Sequence, residues 1–153
     1  MYKHIFVATD GSALSVRAVE EAVKLAHACG ARLSGFHCAP NYTSPYPGEA
    51  SMGGLAALDQ SALREDFEQR TKVAADHALA IVDRIAGETG VAVDTVFERS
   101  DSPSLAILAA VARLDCDCIV MASHGRRGII GMLLGSETHK VLTHCKVPTL
   151  VVR

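Results

Sequence analysis

The residues best suited to chemistry lie in a glycine-rich loop, ASHGRRGIIGMLLGSETHK, at 122–140. The loop contains four glycines, the adjacent pair Arg126 and Arg127, and Gly135-Ser136 directly before a helical pattern. Glycines let backbone N–H groups approach an anion closely, a helix N-terminus favours a phosphate, and arginines add charged donors. No lysine follows a glycine, so the loop is not a P-loop. The pattern predicts a phosphate site of another design; the alternative is a flexible connection to a well-capped helix.

Three residues next to these glycines bear on that choice. Ser136 can cap the following helix or donate its hydroxyl to a phosphate oxygen. Glu137 lies in the first helical turn, where its carboxylate complements the helix dipole and would repel a phosphate if it pointed inwards. His124 comes directly after a predicted strand, so it is a candidate ligand contact.

The first strand ends in a second candidate group, Thr9-Asp10-Gly11-Ser12. In open α/β sheets, ligands bind outside the carboxyl ends of the strands, at the point where the strand order reverses. With the first strand central, the first and fourth strands flank that point, and we expect Asp10 and Gly125 to face one crevice. The alternative for Asp10 is structural, because an Asp after a strand often caps the turn into the next helix.

Strand and helix patterns alternate along the whole chain, which predicts how these groups are positioned. Apolar runs predict strands at 4–8, 33–38, 91–97, 118–121 and 147–152. Helical spacing predicts helices at 13–29, from about 60 to 87, at 102–114 and at 137–144. The segment 39–60, rich in Pro, Gly, Ser and Tyr, predicts a long mobile loop. Apolar strands of this kind favour one α/β domain, 1–153, with a doubly wound five-stranded parallel sheet and helices on both faces.

Composition limits the class of protein. The 153 residues are 49% hydrophobic and 21% charged, with a net charge of −2, which argues against disorder and against nucleic-acid or anionic-membrane partners. The apolar run before Asp10 is too short for a signal peptide, and none approaches the ~18 residues of a membrane span, so we expect a cytoplasmic protein. Cys116-Asp117-Cys118 would place two thiols on one face of a strand, at a spacing shorter than zinc sites use, so no metal site is predicted.

Catalytic residues cannot be assigned from spacing, because triads are defined by geometry. The histidines other than His124 are interpreted as core-edge or surface residues: His4, His27, His37, His77, His139 and His144.

Several of these patterns together resemble the universal stress protein family. They are the strand before Thr-Asp-Gly-Ser, a second strand holding Phe-His-Cys at 36–38, Met-Ala-Ser-His-Gly-x₉-Gly-Ser, and a final Val-Pro-Thr-Leu-Val-Val. The resemblance runs from Tyr2 to Arg153. Its most specific part is Gly-x₂-Gly-x₉-Gly-(Ser/Thr), of which Gly125, residues 126–134, Gly135 and Ser136 match the second half. Ala122 replaces the first glycine, and Asp101 replaces the glycine of a Gly-x-Pro turn.

The resemblance implies a strand order of 3-2-1-4-5, a homodimer joined through 149–152, and ATP in the crevice, with Mg²⁺ bridging the phosphates. Ribose and adenine would meet Ala8, Thr9, Asp10 and the backbone of Cys38. Ribose and phosphates would lie over Met121, Ala122, His124 and Gly125. The phosphates would be held by Gly135, Ser136, Glu137 and Thr138. Arg126 and Arg127 are added to this set from their charge alone.

The implied role is nucleotide-dependent regulation of a stress response or of a protein partner, without efficient catalysis. Two alternatives stay open. Ala122 and Glu137 would suit a dimeric interaction module that has lost the nucleotide, and a slow ATPase would use the same cleft.

Overall fold

The computed structural model describes residues 1–45, 55–125 and 134–153. Its five strands form one all-parallel sheet in the order β3-β2-β1-β4-β5, which confirms the predicted fold class and strand order. The strands are β1 (His4–Ala8), β2 (Arg32–Ala39), β3 (Val93–Arg99), β4 (Cys118–Ala122) and β5 (Thr149–Val152). The helices are α1 (Ala13–Cys29), α2 (Leu55–Thr89), α3 (Pro103–Arg113) and α4 (Ser136–His144).

The sheet separates two apolar cores. Ile5 and Val7 of β1 pack with α1 and α2, whereas Phe6 packs with α3 and α4. Successive side chains of a strand point to opposite faces, so a continuously apolar strand fills both cores. The central strand β1 is fully buried at these three positions, and its carboxyl end is therefore fixed relative to both helical layers.

Helix α1 begins and ends at the predicted residues because both signals are local. The Ser12 hydroxyl accepts a hydrogen bond from Ser15 N–H at 3.3 Å, which is a side-chain N-cap. Gly30 follows the helix with φ of 64°, the left-handed conformation that glycine adopts without strain.

Helix α2 begins earlier than the sequence predicts. Its first residue is Leu55, and β2 extends to Ala39, so the connection is shorter than the predicted loop at 39–60. Residues 55–60, Leu-Ala-Ala-Leu-Asp-Gln, are mostly strong helix formers and suit a helix better than a loop. The predicted mobility of this loop concerns in part residues 46–54, which lie outside the described residues.

β3 and β5 each begin two residues later than predicted, at Val93 and Thr149, and one cysteine pair also differs from expectation. β5 begins at Thr149 because Pro148 has no N–H; the Pro148 carbonyl instead accepts from Ile119 N–H at 2.9 Å.

Cys118 is the first residue of β4 and packs in the α1/α2 core, whereas Cys116 precedes the strand and packs in the α3/α4 core. The two thiols therefore do not share a face. Across the described residues, no helix combines the length and apolarity needed to cross a membrane.

Candidate functional site

A cleft of about 840 Å³ opens at the carboxyl ends of β1, β2 and β4. Twelve of the fourteen residues proposed from sequence line it: Ala8, Thr9, Asp10, Cys38, Met121, Ala122, His124, Gly125, Gly135, Ser136, Glu137 and Thr138. The other two, Arg126 and Arg127, lie outside the described residues. The cleft also has walls that sequence reasoning missed, formed by α2 and by the start of α3: Thr71, Ala74, Ser100, Asp101, Pro103 and Ile107. Only tertiary packing brings these two helices to the strand ends.

The turn after β1 fixes its polar groups tightly. The Asp10 carboxylate accepts a hydrogen bond from Ser12 N–H at 3.0 Å. The buried Thr9 hydroxyl accepts from Gly11 N–H at 3.2 Å and lies 3.1 Å from the Ser15 hydroxyl. Asp10 therefore closes the turn before α1 but does not cap that helix, whose N-cap is Ser12, and Asp10 also lines the cleft.

Asp10 and Gly125 face each other across the cleft floor, as expected from the strand order. A Cβ added at Gly125 would lie 2.6 Å from Asp10 Oδ2, closer than non-bonded atoms approach. An alanine at this position would therefore force the Asp10 carboxylate to move.

The start of α4 is fastened to the end of β4 by two hydrogen bonds. Gly135 N–H donates to Ser123 C=O at 2.6 Å, and the Thr138 hydroxyl donates to Ala122 C=O at 3.0 Å. A Cβ at Gly135 would lie 3.2 Å from both His124 Cα and Ser123 O, so the close approach favours glycine here too.

The helix cap differs from the sequence-based alternative. The N-cap of α4 is Gly135, with no side-chain cap, and Ser136 is the first helical residue. The first intrahelical bond runs from His139 N–H to Gly135 C=O at 2.9 Å. The N–H groups of the three residues before His139 therefore have no acceptor within the helix. The Ser136 side chain does not cap the helix, and Ser136 lines the cleft.

Glu137 does not present an unbalanced charge to this helix start. Its Oε2 accepts from Ser104 N–H at 2.8 Å, and its Oε1 accepts from Lys140 Nζ at 2.7 Å. Burial opposes ionisation, but the hydrogen bonds from Lys140 and Ser104 outweigh it and lower the pKa of Glu137 below its ordinary value. Because Ser104 is the second residue of α3, the carboxylate caps that helix.

Both departures from the family motif fit the fold. Ala122 is the last residue of β4, and among the described residues other than glycine only Asp115 has a positive φ, so a Cβ at Ala122 is not strained. Asp101 accepts hydrogen bonds from Asn41 N–H at 3.0 Å and Asn41 Nδ2 at 3.1 Å. This pair joins the segment after β2 to the segment before α3 at the rim of the cleft.

The wall of the cleft on the side of the α3/α4 core is apolar. It is formed by Phe36, Ile107, Met121 and Cys38, which all belong to or pack against that core. Burial raises the pKa of the Cys38 thiol, so the thiol stays protonated at neutral pH.

His37 is a lining residue whose contact was not predicted. It is 6% exposed, and its Nδ1 lies 2.9 Å from Thr9 C=O. A carbonyl oxygen can only accept, so Nδ1 carries the hydrogen. The interpretation as a core-edge residue described its burial but missed this bond between the ends of β1 and β2. Its place next to the end of an apolar strand was the available signal.

Comparison with known proteins agrees with this architecture. The whole chain, residues 1–153, matches the model of the universal stress protein family. A universal stress protein from Thermus aquaticus, encoded in a QAH/OAS sulfhydrylase 3′ region, is 33% identical over 153 residues, which cover all of both chains.

Three solved structures share the fold. An Arabidopsis thaliana family protein with AMP bound has a TM-score of 0.67 at 20% identity, over 98% of this chain and 90% of that one. A universal stress protein in complex with cAMP has a TM-score of 0.66 at 24% identity, over 99% and 97%. The Archaeoglobus fulgidus protein in complex with dAMP has a TM-score of 0.65 at 18% identity, over 99% and 98%.

Proposed function

Because the chain belongs to the universal stress protein family, we propose that it binds an adenine nucleotide, ATP, in the cleft at the carboxyl ends of β1, β2 and β4. The bound nucleotide regulates a stress response or a protein partner in the cytoplasm. Structural neighbours of the same fold hold AMP, cAMP and dAMP, which supports the adenine class of ligand.

The observation that carries the proposal is that one cleft combines an open helix start with an apolar wall. The open first turn of α4 lines the cleft, with glycine at the closest approach and the Ser136 hydroxyl beside it. Unpaired N–H groups and the positive end of a helix dipole favour a phosphate there. The apolar wall, on the side of the α3/α4 core, suits a base.

The remaining lining residues would contact the ribose and the phosphates. Thr9 and Asp10 would face the ribose, and Met121, Ala122, His124 and Gly125 would underlie ribose and phosphates. Glu137 is compatible with a phosphate, since Lys140 and Ser104 N–H already balance its charge. Mg²⁺, where present, would be held mainly by the phosphates, because the described residues offer no group of three or more His, Cys, Asp or Glu that could hold an ion.

We propose no catalytic role for this cleft, and slow ATP hydrolysis would be incidental to binding.

A second candidate function is a dimeric interaction module that has lost the nucleotide. The acid in the first turn of α4 favours it, because a carboxylate there already complements the helix dipole. In both cases we propose a homodimer through Thr149–Val152, since β5 is an edge strand and Leu150 is 44% exposed.

Isothermal titration with ATP and AMP tests the function. The parent protein should bind with micromolar affinity, and Gly135→Asp should weaken binding at least tenfold, because it adds bulk and negative charge at the phosphate end. Gly87→Asp is the matched control, since a Cβ at Gly87 has nothing within 4 Å and α2 carries it away from the cleft. No binding of either nucleotide by the parent at millimolar concentration would favour the interaction module instead.

A further inference from the structure

The Cys38 peptide lies just beyond the last backbone hydrogen bond between β1 and β2. At the start of the ladder, Arg32 N–H donates to Lys3 C=O at 3.1 Å; at its end, Thr9 N–H donates to Phe36 C=O at 2.9 Å. Alternate residues of β2 therefore bond to β1. The next two bonds of this pattern would join Cys38 N–H to Thr9 C=O and Gly11 N–H to Cys38 C=O.

The other edge of β2 confirms which way Cys38 faces. Leu33 N–H donates to Ala92 C=O at 2.9 Å, and Ser100 N–H donates to Ala39 C=O at 2.9 Å. The residues between those that bond to β1 thus bond towards β3. The N–H and C=O of Cys38 point to the β1 side, beyond the last residue of β1 and into the cleft that Cys38 lines.

Side chains take both partners that β1 would have offered to Cys38. Thr9 C=O accepts from His37 Nδ1 at 2.9 Å. Gly11 N–H donates to the Thr9 hydroxyl at 3.2 Å. Within the described part of the chain, the backbone ladder ends at the bond from Thr9 to Phe36. The imidazole is held in place by burial and by Phe97, whose ring centroid lies 6.3 Å away.

We propose that His37 and Thr9 are positioning residues: they end the β1–β2 ladder one step early and so keep the Cys38 N–H and C=O available to the base of the nucleotide. The inference deepens the proposed function and depends on it for the ligand. Adenine presents an acceptor at N1 beside an amino donor at C6, which complements a peptide N–H and C=O. Hypoxanthine reverses both groups, so AMP and IMP report on this contact.

The first test measures amide hydrogen exchange of the full chain without nucleotide. In the parent, the Cys38 amide should exchange much faster than the Phe36 amide. In His37→Leu, the freed Thr9 C=O should accept from Cys38 N–H and protect it. His37→Asn should behave as the parent, because its side-chain amide places a donor near the position of Nδ1.

The second test compares AMP and IMP by titration. The parent should prefer AMP about tenfold, the scale of one or two hydrogen bonds to a buried edge. His37→Leu should bring the ratio to within about twofold, and His37→Asn should retain it. His4→Leu is the matched control, because His4 is also buried and its Nδ1 also lies against a carbonyl, that of Leu114 at 3.0 Å, at the opposite end of the sheet. It should lower stability and leave the ratio unchanged.

The exchange and titration results for His37→Leu support or overturn the positioning role of His37. An AMP preference that persists in folded His37→Leu overturns it, and so does a Cys38 amide that is protected in the parent or exposed in His37→Leu. If His37→Leu does not fold, Thr9→Val replaces it, since losing the hydroxyl frees Gly11 N–H for Cys38 C=O; an unchanged ratio then overturns the inference. If the parent binds neither nucleotide, the proposed function fails, while the exchange experiment still decides the role of His37.

Discussion

The carboxylate of Glu137 accepts a hydrogen bond from the backbone N–H of Ser104 at 2.8 Å, across 33 residues of sequence. The acid in the first turn of α4 therefore caps α3, and the two helices on one face of the sheet are joined at the cleft.

Removing this cap should destabilise the protein. Glu137→Ala leaves Ser104 N–H without its acceptor and should lower the free energy of unfolding by about 1 kcal/mol. Glu137→Gln keeps an acceptor and should cost less. Urea denaturation at neutral pH measures both. Glu88→Ala is the control, since its carboxylate pairs with Arg84 on the exposed side of α2; equal losses in Glu88→Ala and Glu137→Ala would show that the link between the helices contributes nothing.

The contact between Asp10 and Gly125 predicts a second effect. Gly125→Ala forces Asp10 Oδ2 to move and to strain its hydrogen bond from Ser12 N–H, which should cost about 1 kcal/mol of stability. In the background of Asp10→Ala, the same substitution should cost much less. Thermal unfolding of the four proteins of this double-mutant cycle gives the coupling. Additive effects would mean that the two residues do not constrain each other.

Buried His4 should make stability fall as the solution becomes mildly acidic. Burial, with a contribution from Arg32, lowers the pKa of His4 below its ordinary value. The unfolded chain therefore takes up a proton near pH 6.5 before the folded protein does, so stability is full above that pH and is lost as the pH falls towards the lowered pKa.

His4→Asn should flatten this dependence between pH 7.5 and 5.5, measured as the free energy of unfolding in urea. The carboxylates with lowered pKa values, Glu68, Asp117 and Glu137, lose their contribution only below about pH 4.5, outside this window. His27→Asn, at an exposed position of α1, is the control. A parent whose stability does not change over this range would contradict the expectation.

The position of β5 at the edge of the sheet leads us to expect that a charged residue in this strand disrupts the proposed homodimer. If the chain dimerises through Thr149–Val152, Leu150→Lys should convert the dimer to a monomer, because it places a charge in a buried interface. Light scattering coupled to size-exclusion chromatography measures the mass. Leu63→Lys on α2, with an exposed fraction of 42% against 44% for Leu150, should leave the dimer intact. A monomeric parent would refute this mode of assembly.

Local signals carried much of the sequence-based prediction. The Ser12 cap, the glycine at position 30 and the apolar runs of the strands each depend on a few neighbouring residues. The cap and the glycine are found where expected, and each apolar run contains a strand, with β3 and β5 starting two residues late. The expected adjacency of β1 and β4 was enough to predict that Asp10 and Gly125 lie close together, and the structure shows this contact.

The contacts that escaped prediction are those made between elements. The bond from Glu137 to Ser104 and the bond from His37 to Thr9 depend on how α3 lies against α4 and on how β2 diverges from β1. No periodicity encodes either. The early start of α2 was missed for a different reason, since the Pro, Gly, Ser and Tyr content of 39–60 predicts a loop up to about Gln60.

The central position of β1 also has a consequence for synthesis. The Asp117 carboxylate accepts a hydrogen bond from Lys3 N–H across 114 residues of sequence, and β1 pairs with β4 only after those residues have been made. A nascent chain that ends before α4 has neither the Gly135 turn nor the helix start that lines the cleft with Asp10. A ligand of this cleft would therefore stabilise only a chain in which all elements through α4 have been made and have folded.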